Sequence, residues 1–482
     1  MSLLNTNIGP ERVQVFDVPL GVVQIPGVAT SVTAFLISTS FVGAPVNSPV
    51  SVTNLEDFED QFGGPDDILY DAYYAVQGYF DNAGTGNTAI IVNVGTSPTA
   101  NSFIGSASAG SGLRALDPLD VLGLVTCPGL PLSLAYLVQP ALIDYTETVR
   151  AEFGSTLSTS YSVLALPREI TKANTRTTVL SAQLAASGAV TGLVVSLQGT
   201  PNLSTVTPGM VVYKASTFIG TITSVNDPGD TITLTSVTGL ADADNITIEM
   251  PSAVIYKDSV INNPSRVAAW YFNSLNVTDR SSTANPGDLL SVDPVGHVCG
   301  VMARIDANIS IGGVSHAPAG IQFAGLAGIQ GLTLRISERT DAAPLRLAFI
   351  NRITSFPGSG NVIFGGYSAG GSAVTADEQL VQVMRSLQYI KGSLERGLRG
   401  FLWENFSPET QTQVERAIES FCRNNIHLFP AGLPEAQQFR VLRVEPTQDD
   451  LDQGLLKVRV LVKPNKAVRF IEVALEFPLP NA

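Results

Sequence analysis

Residues 26–64 read PGVATSVTAFLISTSFVGAPVNSPVSVTNLEDFEDQFGG, and the class of fold turns on them. The run 28–37 (VATSVTAFLI) is rich in β-branched residues and is expected as a strand. After a loop bearing Gly and Pro, Leu55, Phe58 and Phe62 recur at i, i+3 and i+7, the spacing of one helix face. Glu56, Asp57, Glu59 and Asp60 then turn to solvent, so this acidic run is the wet side of a helix. A calcium loop would alternate its ligands around a central glycine, and this run does not. Thr53 is expected to cap the helix in a capping box with Glu56, and Gly63 to stop it.

Working outward, residues 67–80 (DILYDAYYAVQGYF) read as a second helix and 89–94 (AIIVNV) as a buried strand. Strand, helix, helix, strand is an α/β pattern. It continues with strands at 120–126 and 161–166 and a helical stretch near 138–153. Between about 175 and 253 Ser, Thr, Val and Gly dominate, and Lys214 is the only basic residue after Arg176. A hairpin, FIGTITSV-NDPGD-TITLTSV, and strand candidates at 193–196, 210–213 and 245–249 predict a small inserted all-β module. The α/β pattern returns at 267–275. Thr375 and Glu378 form a capping box for a helix reaching about Leu398, and Ser407-Pro408-Glu409 opens another with Val414, Ala417, Ile418 and Phe421 on one face. Strands at 456–462 and 470–477 close the chain, while 12–18 (RVQVFDV) alternates outside any domain.

A length of 482 residues suggests about three domains. Charged residues make up only 15%, against a usual share of about 25%, which points to surface hidden against other subunits. The net charge of −14, with no cluster of Lys and Arg, argues against a nucleic-acid partner. Cys127, Cys299 and Cys422 are far apart and odd in number, so no disulfide framework or CxxC metal site arises, and a reducing compartment of synthesis is expected. The start, MSLLNTNIGPERVQ, lacks a basic segment followed by an apolar run, so no signal peptide is expected. The most apolar stretch, 123–143, is broken by Pro128, Pro131 and Pro140 and reads as buried strand and loop, not a membrane span.

The sharpest enzymatic signal is Gly366-Tyr367-Ser368-Ala369-Gly370, a match to the G-x-S-x-G nucleophile elbow, with Asp377 and His427 downstream in the order of α/β-hydrolases. The elbow needs a helix starting directly after its serine. Here Gly370-Gly371-Ser372 intervene, so a glycine-rich loop is the better reading. His297, His316 and His427 show no metal spacing. The turn DNAGTGN (81–87) has no GxGxxG before a helix, so it does not read as a phosphate loop.

With the chemistry thin, the order of segments is the stronger signal. Residues 26–64 resemble the opening of the contractile tail sheath family, where a TS-x-x-AF strand leads through a Pro-rich loop to an FGG helix. VQGYFDNAGTGNTAIIVNV (76–94) is similar to the family's next helix and strand, with Ala83 in place of a glycine. DLLSVDPVGHVCGVMARI (288–305) resembles its P-x-GH-x-AG-x-x-AR segment at Pro294, Gly296, His297, Gly300, Ala303 and Arg304, with Val-Cys-Gly for V-A-G. Ile350-Asn351-Arg352-Ile353 resembles the IN-x-I(R) element, and the end of the chain, with FLWE and Gly454, is similar to the sheath C-terminal domain. The resemblance spans everything except about 175–253.

It implies an α/β (α+β) multidomain fold with the inserted all-β domain and a C-terminal α+β domain with exchanged terminal strands. The expected divisions are a linker arm at 1–22, an α/β domain at 23–175 and 255–355, an outer β-rich insert at 176–254, and a C-terminal domain at 356–482 whose last strand, 468–482, is exchanged. The implied role is mechanical: hexameric rings of this chain stacked around an inner tube, contracting to drive the tube through an envelope, with no catalytic, metal or cofactor site. Partners would be the chain itself, the tube protein, and baseplate and tail-terminator or cap proteins, with no nucleic acid and no membrane insertion. Assembly would be cytoplasmic, into a phage tail or a tail-like particle, membrane-anchored or released. Val13, Val15, Phe16 and Val18, and Ile471, Val473, Leu475 and Phe477, would add strands to sheets of adjacent subunits. Arg416 and Arg423 share a helix face and are candidate tube contacts, unless Glu409, Glu415 or Glu419 pair with them. The competing readings are a serine hydrolase acting through Ser368 and a non-contractile shell or fibre protein.

Overall fold

An eight-stranded sheet forms the centre of the computed structural model, which describes residues 24–151 and 158–469. The expected exchange strands, with Val13, Val15, Phe16, Val18, Ile471, Val473, Leu475 and Phe477, lie outside the described residues. The sheet's strands are β1 (Thr33–Ile37), β2 (Val50–Val52), β3 (Ala89–Asn93), β4 (Leu124–Thr126), β5 (Tyr161–Ala165), β6 (Ala268–Phe272), β7 (Ile350–Phe356) and β8 (Gly360–Phe364). Their order across the sheet is β8-β7-β6-β5-β4-β1-β3-β2. The strands from β7 to β3 run parallel, and β8 and β2 close the two edges antiparallel. Alternate residues feed two separate cores: Leu36, Val125, Leu164 and Trp270 on one face, Phe35, Leu124, Val163 and Tyr271 on the other. Burial on both faces is why these strands read as continuous apolar runs.

Helices α1 (Leu55–Phe62) and α2 (Ala72–Ala83) cover one face. Phe58 and Phe62 are fully buried, with ring centroids 5.6 Å apart, and each contributes ~1.5–3 kcal/mol of burial. Asn54, not Thr53, caps α1: its side chain accepts from the Asp57 N–H at 2.8 Å. The Thr53 N–H donates instead to Asp57 Oδ2 at 2.9 Å, so the reciprocal arrangement is shifted by one residue.

On the same face α2 crosses α4 (Val295–Ala307) with almost no spacing. A Cβ on Gly296 would stand 1.8 Å from the Ala75 carbonyl oxygen, and one on Gly300 2.5 Å from that of Tyr79. The His297 ring lies over Gly78, 1% exposed, with Nδ1 unpartnered. Burial depresses its pKa to about 4, so it is a neutral core residue.

On the other face lies α3 (Leu132–Asp144), with Pro131 at its N-cap position and Pro140 inside. The helix thus begins six residues before the expected 138, within the stretch read as strand and loop. The prolines misled that reading, because Pro is tolerated at a helix start. The segment 176–254 builds a seven-stranded antiparallel sheet that includes the expected hairpin, Thr217–Asn226 with Thr231–Leu234. Tyr136 donates to the Thr223 carbonyl at 3.3 Å, and Leu132 meets Gly209, so this sheet shares one continuous core with the main sheet.

The chain leaves β1 toward one edge of the sheet and leaves β4 toward the other. The carboxyl ends of these adjacent strands therefore mark the switch point where open α/β sheets hold ligands. Here the crevice is filled by the chain itself. The first turn of the expected 67–80 helix is drawn out as a strap: Tyr70 and Asp71 take left-handed backbone (φ 59° and 58°), and α2 starts only at Ala72. The Tyr70 carbonyl abuts Gly129, Asp71 pairs with Arg168, and the partly buried Asp293 accepts from the Gly129 and Val295 N–H groups. Burial raises the Asp293 pKa to about 6 despite those donors.

Candidate strand-docking site

The third core lies at the end of the chain. Helix α5 (Val381–Gly397) serves two cores, giving Val381 and Met384 to the main one and Ile390 to this one. It starts later than its expected start at Thr375. The Thr375–Glu378 side-chain bonds do form, with the Thr375 N–H donating to Glu378 Oε2 at 3.0 Å. Arg266 also holds Glu378, at 2.6 Å, and residues 375–379 stay a turn. Helix α6 (Pro408–Asn424) follows its expectation closely: Ser407 caps it by accepting from the Thr410 N–H at 3.1 Å. Its stripe of Val414, Ala417, Ile418 and Phe421 is buried.

Against this core lies a two-stranded sheet, Phe439–Arg443 antiparallel to Val458–Val462. The link between the strands is stiff. Helix Gln448–Gln453 is capped by Thr447 in a capping box with Asp450, and Gly454 ends it at φ 66°. Lys457 Nζ stands 2.6 Å from Asp450 and helps hold that carboxyl at about 2. Val458, Val460 and Val462 face inward and Arg459 and Leu461 outward. Among the described residues neither strand has a second partner, so both edges present unpaired backbone groups. Two strands alone are marginal, and an unpaired edge is a template for a further strand. Alongside Val460 and Val462 runs an apolar groove floored by Leu387, Ile390, Leu394 and Leu398, with the Lys391–Glu395 pair at its rim.

Both ends of the described chain pass along α5. Ile25 packs on Gly397 at its carboxyl end, and residues 467–469 run past Leu380 and Gln382 at its amino end. The sequence reading missed this groove, because its floor and wall lie some 60 residues apart in the chain. It also gave no role to Leu402 and Trp403, which stand fully or largely exposed on the loop between α5 and α6.

Arg416 and Arg423 are both exposed on α6. Arg423 is engaged by Glu435 at 3.0 Å and Glu419 at 3.5 Å, and Glu435 holds its pKa above the usual value. Glu415 pairs with Arg443 at 2.7 Å and not with Arg416. The G-x-S-x-G match does not build a triad. Ser368 is fully buried and its hydroxyl donates to the Glu378 carbonyl at 2.7 Å. Asp377 pairs with Lys466, and the half-buried His427 lies beside Gly313. Among the described residues no group of three His, Cys, Asp or Glu could hold a metal ion, and no helix is long and apolar enough to cross a membrane.

By sequence the chain matches no family model and no curated protein. By structure it resembles a chain of the anti-feeding prophage (AFP) baseplate (TM-score 0.61, 16% identity), covering 98% of this chain and 100% of that one. The AFP helical sheath in its contracted state gives a TM-score of 0.60 at 16% identity over 97% and 99% of the two chains. The PVC sheath complex of an extracellular contractile injection system, also contracted, gives 0.61 at 15% identity over 98% of each. The chain has the fold of contractile tail sheath proteins.

Proposed function

We propose that this chain is the structural subunit of a contractile sheath, which polymerises as stacked rings around an inner tube and shortens to drive the tube through a target envelope. The observation that carries the reading is the sheet at 439–462, which has no further strand on either edge among the described residues, set in a sheath fold that spans the whole chain. Strand addition at such an edge joins subunits by backbone hydrogen bonds and leaves their cores intact. The amino-terminal run with Val13, Val15, Phe16 and Val18 and the carboxyl-terminal run with Ile471, Val473, Leu475 and Phe477 are the strands to be exchanged. The two ends meet α5 at opposite ends of a helix ~25 Å long, which sets the two arms apart. The tube, baseplate and cap are the remaining partners, and the filled crevice at the sheet switch point agrees with a role without substrate.

The test is deletion of residues 1–22, followed by circular dichroism and negative-stain microscopy. The shortened chain is expected to keep its fold and lose assembly. Ordered sheaths from it would refute strand exchange through this arm, and a full-length chain forming no wide tubes would favour a fibre or shell protein.

A further inference from the structure

The strand predicted to begin at 28 begins at Thr33, because the residues before it lie on another element. Ile25 sits 8% exposed against Gly397 of α5, where a Cβ would stand 2.3 Å from its Cγ2 and 2.8 Å from its Cβ. Gly27 passes under Tyr389, whose hydroxyl would be 2.2 Å from an added Cβ. The Val28 N–H donates to Ser393 Oγ at 3.1 Å, and its side chain rests on Gly392. Thr30 then enters a buried polar junction. Its hydroxyl donates to Asp306 Oδ2 at 2.6 Å, and Arg385 binds both Asp306, at 2.5 Å, and the Thr30 carbonyl, at 3.2 Å. Asp306 belongs to α4 of the main domain and Arg385 to α5, and both are almost fully buried. Ile25 is part of the C-terminal core. Ile25, Gly27, Val28 and Thr30 are thus fastened to both units, directly after the arm.

We propose that residues 25–30 are the joint through which pull on the amino-terminal arm reaches both domains, with Gly397 and the Thr30–Asp306–Arg385 junction as its positioning residues. The proposal rests on the strand-exchange reading above and adds where the force enters. A strap free to peel would let the arm lengthen under load and uncouple one subunit's rotation from the next. A seated strap holds the arm's exit at a fixed point on α5. The fit is steric as well as polar: a side chain larger than glycine at 397 would close the seat.

The test uses the full chain in three forms, each scored by the concentration needed for tube assembly. Gly397→Val evicts Ile25 and is expected to raise that concentration at least tenfold while far-UV dichroism stays that of the wild type. Adding Ile25→Gly to it removes the clashing side chain, Cβ included, and is expected to bring the value back within threefold. Val28→Cys with Gly392→Cys, where an added Cβ would stand 3.3 Å from Val28 Cγ2, once oxidised locks the strap in place and is expected to assemble as the wild type does. The three native thiols are buried with strongly raised pKa values and leave this oxidation clean. Normal assembly of Gly397→Val, failure of the double variant to recover, or a block by the oxidised lock would each overturn the proposal while leaving strand exchange standing. A wild type that forms no tubes, or a chain lacking residues 1–22 that does, would remove the strand-exchange reading and this proposal with it.

Discussion

Replacing His297 by Leu is expected to change how the stability of the fold depends on pH, and the size follows from the α2–α4 contact. The ring is 1% exposed over Gly78, its Nδ1 has no partner, and burial lowers its pKa from 6.5 to about 4. The folded chain therefore leaves His297 neutral across a range in which the unfolded chain protonates it. The unfolded state binds more protons, so stability falls as pH falls from the unfolded pKa toward the folded one. At about 1.36 kcal/mol per pH unit the whole gap is worth ~3 kcal/mol, of which most is lost between pH 7 and 4.5. Asp293 acts the other way. With its pKa raised to about 6, the fold holds a proton that the unfolded chain releases, so its contribution is lost as pH rises from about 4 through 6. Comparing His297→Leu with the wild type cancels the Asp293 contribution, because both proteins carry it. Urea midpoints at pH 7 and pH 4.5 are the assay. Near pH 7 the two should agree within ~1 kcal/mol, and at pH 4.5 the variant should lead by roughly 2 kcal/mol. Parallel curves would show that the imidazole finds a proton partner or water in the fold, and the reasoning would fail.

Gly296→Ala places a methyl 1.8 Å from the Ala75 carbonyl oxygen, so α2 and α4 must part by over an ångström; a loss of ~2 kcal/mol or more in urea unfolding is expected, and under ~0.5 would refute the crossing. Leu394→Asp puts a charge in the groove beside Val460 without reaching the main cores; the monomer should unfold near the wild-type midpoint and fail to form tubes in the electron microscope. Arg416→Glu should weaken co-assembly with the tube in low salt and spare sheath formation, with Arg423→Glu adding less because Glu435 and Glu419 already engage Arg423. Co-assembly insensitive to both charge and salt would exclude this helix as the contact. A fluorophosphonate probe should leave Ser368 unlabelled, while Ser368→Ala should cost ~1–2 kcal/mol of stability through its lost bond to the Glu378 carbonyl.

The sequence by itself determined the elements whose signals are local. Phe58 and Phe62 mark the buried side of α1 because helical spacing alone puts them there, and Ser407 and Pro408 open α6 because a cap needs only its own turn. The alternation at 217–234 made its hairpin legible for the same reason. The order of short motifs suggested a sheath, and the fold comparison reaches the same architecture by a separate route. Tertiary structure decided everything that depends on what lies opposite. The 67–71 turn gives up its helical pattern because Gly129, Arg168 and Ser38 offer its backbone and side chains partners that a helix would not. The strand from 28 is shortened because Gly392 and Gly397, more than 360 residues on, open a seat for Val28 and Ile25. Neither propensity nor periodicity carries that information. The groove along α5 is the clearest case: Leu394 and Val460 are far apart in the chain, and only the fold sets them side by side, next to a strand edge with no further partner among the described residues.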